Sequence, residues 1–195
     1  MIVLEYRTLE QIEENKKEII IWQIVGAVVI FGVGALWHFI YEWIEIPALG
    51  WLFPVNESVW EHVKLMFWPA IIYYAIEGAF LWKKTNNFIL AKMYVLYFTP
   101  AVNIVFFYTY TGATGYENFI IDSIVLFIIT CIQQYISYKL LTSEQIFSDK
   151  PITLIALSVT GIFILGFILI LFTYFPPHIP LFQDSLSGEY GIITT

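Results

Sequence analysis

The sequence predicts an all-α protein, a polytopic membrane bundle of five transmembrane helices with the N-terminus cytoplasmic and the C-terminus outside. Three observations predict it. Of 195 residues, 59% are hydrophobic and 13% charged, where soluble domains carry about 25% charged residues. Five apolar runs, at 19–44, 57–82, 88–111, 117–141 and 151–175, each reach the roughly 20 residues that cross ~30 Å of hydrocarbon as a helix. Finally, Lys64 apart, the nine basic residues all fall at one end of an up-and-down arrangement of these runs, the end that the positive-inside rule places in the cytoplasm.

Residues 1–18 are polar, with Arg7, Lys16 and Lys17 among several Glu, and read as a cytoplasmic amphipathic segment that runs on into the first span. The first run is too long for a signal peptide and no small-residue cleavage site follows it. Pro69 and Pro100 lie inside the second and third runs and predict kinks, which a membrane bundle tolerates where neighbours satisfy the freed carbonyls. Lys83, Lys84 and Lys92 surround the second loop, and Lys139 and Lys150 flank the fourth run. The first loop (45–56), the third (112–116) and the tail (176–195) contain no Lys or Arg. Pro176-Pro177-His178-Ile179-Pro180-Leu181-Phe182 is too stiff and apolar for a loose end, so the tail is expected to fold over the outer ends of the helices. No repeat or linker divides 1–195, which reads as one membrane domain with a five-helix body over 19–175.

A net charge of −7 does not suit nucleic-acid binding, which wants a basic patch. The single Cys131 rules out an internal disulfide and a Cys-rich metal cage, and inside an apolar run it reads as a small hydrophobe.

The polar residues gather outside. All three histidines, His38, His62 and His178, land at the outer face from three different segments, together with Glu42, Glu45, Glu57, Glu61, Glu117, Asp122, Asp184 and Glu189. His38 and Glu42 are spaced i,i+4, which places both on one helix face. Imidazole and carboxylate together suit zinc or another divalent metal, though the same pair can simply hold a helix end. In the second span Glu57, Glu61, Lys64 and Trp68 share one stripe and His62 lies on a neighbouring one. Asn56, or Ser58 with Glu61 as a capping box, explains part of this cluster without chemistry; His62 and Glu57 remain over. The expected metal set is therefore His38, Glu42, His62 and His178. Glu57, Glu61 and Asp122 are the candidate catalytic acids, Asp122 because a carboxyl one turn into a membrane helix should face the bundle interior or a wet cleft. Glu77 reads as an ion-pair partner for Lys83 and Lys84, and Gln133 and Gln134 as interhelical hydrogen-bonding groups.

The run P-V-N-E-S-V-W-E-H-V-K at 54–64, with W-H-F-I-Y-E at 37–42 and P-P-H-I-P-L-F at 176–182, resembles a family of small bacterial multispanning membrane proteins without an assigned activity. The resemblance implies a multi-pass protein of the bacterial cytoplasmic (inner) membrane and no substrate. Three functions stay open: a metal-dependent membrane hydrolase or transferase acting on a lipid or envelope precursor, a solute- or cation-binding transport component, and a structural or assembly protein. The expected partners are membrane lipids, with a second copy of the chain or another membrane protein beside them.

Overall fold

The chain folds into five α-helices: α1 (Leu9–Ile44), α2 (Val59–Leu81), α3 (Phe88–Thr114), α4 (Phe119–Leu141) and α5 (Pro151–Tyr174), with short 3-10 turns at Pro47–Leu49 and Pro180–Phe182. A computed structural model describes residues 6–193. Local chemistry sets the ends. Thr8 and Gln11 form a reciprocal capping box at the start of α1. Ser58 caps α2, accepting from the Glu61 amide, and Asn118 caps α4, accepting from the Ile120 and Ile121 amides. Pro151 opens α5, and Gly115 at φ 80° closes α3, a left-handed conformation that glycine adopts without strain. The 36 residues of α1 span about 54 Å at 1.5 Å per residue. That exceeds the bilayer, so the polar segment and the first apolar run are one continuous helix.

Helices α1, α3, α4 and α5 are long and apolar enough to cross a membrane. α2 differs: it carries Glu61, Lys64 and Glu77, and twelve of its 23 residues are buried. It packs against α1, α3, α5 and the tail turn, so the other helices shield its charges from the apolar surroundings. Two ion pairs make this tolerable. Near one end, Lys64 Nζ lies 2.5 Å from Glu61 Oε2 and also donates to the Gly50 and Phe53 carbonyls. Glu61 in turn accepts from the Val55 amide and the Thr173 hydroxyl. Deeper in the bundle Glu77 pairs with Lys92 at 2.7 Å. There Gln23 donates to Glu77, Lys92 donates to Ser137 and its ammonium sits over the Tyr74 ring. Glu77 therefore does not pair with Lys83 or Lys84 as its position along the chain suggests. Lys84 bonds Glu18 instead, and Lys92, four residues inside α3, is turned inward. Gln133 bonds Thr99 and Tyr74 as expected, whereas Gln134 is buried with neither amide atom bonded among the described residues. Cys131 is exposed on the outer surface of α4 and is not packed inside.

Asn86 and Asn87, between α2 and α3, staple one end of the bundle. Asn86 exchanges hydrogen bonds with the Arg7 backbone and donates to the Ser143 carbonyl. Asn87 donates to the Leu140 and Glu144 carbonyls and accepts from the Ile146 amide. At the opposite end Trp37 and Trp68 donate to the Leu52 and Trp51 carbonyls of the α1–α2 loop. The tail crosses the same end, held by a bridge between Gln183 and Tyr190 and by Phe182 against Trp60 and Phe172.

Removing one partner of a buried pair strands the other charge, at about 3–5 kcal/mol. Lys92→Met is expected to lower unfolding stability in detergent by that amount, while Lys139→Met, at an exposed position, stays within about 0.5 kcal/mol. Equal stability of the two variants in a denaturant titration would contradict the assignment.

Candidate metal centre

The site starts from a glycine. A Cβ on Gly34 would lie 2.6 Å from the Leu65 carbonyl oxygen, so α1 and α2 touch backbone to backbone there. His38 is one turn beyond Gly34 on α1, and His62 is one turn before Leu65 on the opposing α2. The close crossing brings the two imidazoles together, with their Nε2 atoms 3.1 Å apart.

Glu57 completes the group. Its Oε2 lies 3.3 Å from His38 Nε2 and 3.4 Å from His62 Nε2. The stripe argument set Glu57 apart from His62, but Ser58 is the cap of α2, so Glu57 precedes the helix and its direction is set by the loop. The Glu57 amide donates to Asp184 Oδ1 at 2.7 Å. Asn56 accepts from the Ser58 amide and donates to the Gly191 carbonyl. Asp184 is braced by the amide and hydroxyl of Ser187. Burial pushes the Asp184 carboxyl up, and the hydrogen bonds from Ser187 and Glu57 outweigh it, leaving it below its ordinary range. Hydrogen bonds from His38 and His62 hold the Glu57 carboxyl well below the usual carboxylate range.

The protons decide what the triangle can hold. His62 Nδ1 lies 2.8 Å from the Ser58 carbonyl, which only accepts, so Nδ1 carries the hydrogen, and Nε2 presents a lone pair whenever the ring is neutral. Glu57 Oε2 also only accepts. With both rings neutral, a proton on His38 Nε2 serves one of these two atoms and leaves the other lone pair unmatched; with His62 protonated, its Nε2–H donates to Glu57 instead. A cation at the centre serves all three. The edges of the triangle, 3.1, 3.3 and 3.4 Å, also fit one face of a tetrahedral zinc site: bonds of about 2.0–2.2 Å imply edges of about 3.3–3.5 Å. The His62–Ser58 hydrogen bond is the kind of outer contact that fixes a ligating imidazole. His38 Nδ1 is buried and has no such partner among the described residues.

All three residues line a cleft of about 340 Å³ between α1, α2, α3 and α4. Their side chains are 18–31% exposed, open to that space yet seated in the fold. Asn103, Glu117, Asp122 and Ser123 line the same cleft. Tyr110 donates to Asp122 at 2.8 Å and accepts from the Asn118 amide, which ties the carboxyl to the start of α4.

The structure thus brings together His38, His62 and Glu57, and places Asp122 in the same cleft. It does not bring in the other expected residues. Glu42 is exposed, because the turn of α1 that aims His38 at α2 leaves position 42 outside the crossing. His178 is exposed and stacks on the Tyr190 ring, with centroids 4.5 Å apart, so the proline-rich segment aims it along the tail. Glu61 is buried and committed to Lys64, Thr173 and the Val55 amide. Sequence reasoning missed Gly34, and it placed Asp184 at the outer face without giving it a part in the site. Gly26 and Gly34, eight residues apart and both buried, are the signal for the first, since small residues mark close helix approach in membranes. Nothing local marks Asp184.

An all-helical bundle with four membrane-length apolar helices and a His/Glu cluster at one end defines a class: a helical membrane protein with one recessed polar site. Within that class, residues 10–192 match the family described as "Family of unknown function (DUF6512)", and the chain belongs to it. No curated protein matches, and no solved structure matches.

Gly34→Ala forces α1 and α2 apart and is expected to cost about 1–3 kcal/mol, visible as a lowered unfolding midpoint. Gly32→Ala adds a Cβ to open space and should leave the midpoint unchanged or raised. Equal tolerance of the two would remove the close crossing from the account.

Proposed function

We propose that the protein is a five-span protein of the bacterial cytoplasmic membrane, N-terminus inside and C-terminus outside. In this reading His38, His62 and Glu57 bind zinc or another divalent transition metal at the outer face, for a hydrolase or transferase reaction on a lipid or envelope precursor. The convergence of His38 Nε2, His62 Nε2 and Glu57 Oε2 carries the reading. Two imidazoles and one carboxylate with positions open to a cleft are the ligand set of catalytic zinc, where structural zinc is closed by four protein ligands. Such an ion lowers the pKa of its bound water towards neutrality and polarises a carbonyl or phosphoryl oxygen. Around it, Glu57 is oriented by Asp184 and Asn56, and Glu61 positions the loop through Val55 without touching the cleft. Asp122, held by Tyr110, is the carboxyl best placed in the cleft to take or give a proton. The orientation rests on the basic residues, and the paired charges of α2 allow it to cross as a fifth span.

A second reading, a cation-binding transport component, is favoured by one observation: the cleft contains Glu117 and Asp122 and no Lys or Arg.

Metal content separates the readings. Tag-free protein purified in detergent and loaded with zinc is expected to hold close to one ion per chain by mass spectrometry. His62→Ala and Glu57→Ala should lose it, and Glu42→Gln and His178→Ala should keep it. Undiminished metal in His62→Ala would sink the site. A cleft that retains a monovalent or organic cation in the zinc-free protein would favour transport.

A further inference from the structure

The cleft has one polar end and one apolar end. On α1 its lining runs from His38 down to Phe31, and on α4 from Phe119 down to Leu126. Seven residues at 1.5 Å each make about 10 Å of depth on either helix. Gly34 and Ala35 provide the room on the α1 side. A volume of about 340 Å³ is in the range of small-molecule sites, which typically occupy ~300–1,000 Å³. An apolar pocket that begins at a cluster of polar groups and descends about two turns along membrane helices suits an amphiphile, chain down and head at the histidines.

The head can be specified by charge. The lining holds no Lys or Arg, the side chains that recognise phosphate by charge and geometry. Helix N-termini, the other common phosphate cradle, are already occupied, Ser58 capping α2 and Asn118 capping α4. The acids present are Glu57, Glu117 and Asp122, so even a divalent ion at the triangle leaves the end of the cleft without surplus positive charge for an anionic head. Asn103 and Ser123 have no hydrogen-bond partner for their side chains among the described residues, and both line the cleft. They offer neutral donors and acceptors to the same cleft as the histidines.

We propose that the cleft binds a single-chain amphiphile with an uncharged, carbonyl- and hydroxyl-bearing head, of the acylglycerol type, and discriminates against the phosphate-headed amphiphile of the same chain. The inference deepens the metal-site reading by naming its substrate class and rests on it for the head's position. The head's carbonyl oxygen meets the ion at His38, His62 and Glu57, its hydroxyls meet Asn103 and Ser123, and the acyl chain lies against Phe31, Ala35 and Leu126.

The test compares monoacylglycerol with lysophosphatidate of equal chain length on zinc-loaded protein in detergent, by native mass spectrometry, with metal content read in the same spectra. Monoacylglycerol is expected to bind at least tenfold more tightly. Ala35→Phe, which fills the cleft about midway along α1, should weaken it tenfold or more with zinc retained, and Leu126→Trp, at the apolar end, serves if Ala35→Phe does not fold. Equal or tighter binding of lysophosphatidate would overturn the proposal, as would monoacylglycerol binding that neither filling variant disturbs. Loss of zinc without loss of monoacylglycerol selectivity would defeat the metal reading and leave the cleft inference standing.

Discussion

Lipid cannot solvate a charge, and the most charged helix of this chain is the one the others surround. Glu61, Lys64 and Glu77 all sit on α2 and are all buried. Each is matched by a charged partner and by further hydrogen bonds, the condition under which a buried ion pair is tolerable. The arrangement of α1, α3 and α5 about α2 follows from this requirement as much as from apolar packing, because polar groups add interhelical attraction where lipid weakens the hydrophobic drive. The Glu61–Lys64 pair also reaches outward: by holding the Gly50 and Phe53 carbonyls and the Val55 amide, it fixes the loop that ends in Glu57.

The triangle of His38, His62 and Glu57 is thus built by three separate devices. A glycine lets two helices touch, which sets the distance between His38 and His62. A buried ion pair anchors the loop, which delivers Glu57. The folded tail supplies Asp184, which holds the Glu57 amide. None of the three is itself a ligand, and each acts on geometry at a scale of tenths of an ångström, which is the scale on which metal sites discriminate.

Much of the fold was legible. The second to fifth apolar runs end within a few residues of α2 to α5, where Ser58, Asn118 and Pro151 punctuate the chain with recognisable chemistry. At the start of α1 the polar segment and the first span form one helix without a break, as the sequence predicts. Side-chain direction was less legible. Helical stripes apply only inside a helix, so Glu57, one residue before its cap, was read against the wrong frame. Spacing put Glu42 on a face with His38, but which face meets α2 depends on Gly34 and Leu65, a contact between segments far apart in sequence. Lys92 was read with Lys83 and Lys84 as a basic residue of the cytoplasmic edge; its pairing with Glu77 depends on the same long-range packing. His178 came out exposed because its neighbour Tyr190 lies twelve residues on, beyond any local rule.

The central claim is that His38, His62 and Glu57 share one ion. The most direct measurement is X-ray absorption at the zinc edge of the loaded, tag-free protein. The account predicts a first shell of nitrogen and oxygen only, at about 2.0–2.2 Å, with the outer-shell scattering of two imidazoles, one of them lost in His38→Ala. A spectrum with no imidazole scattering, or one that His38→Ala leaves unchanged, would contradict it.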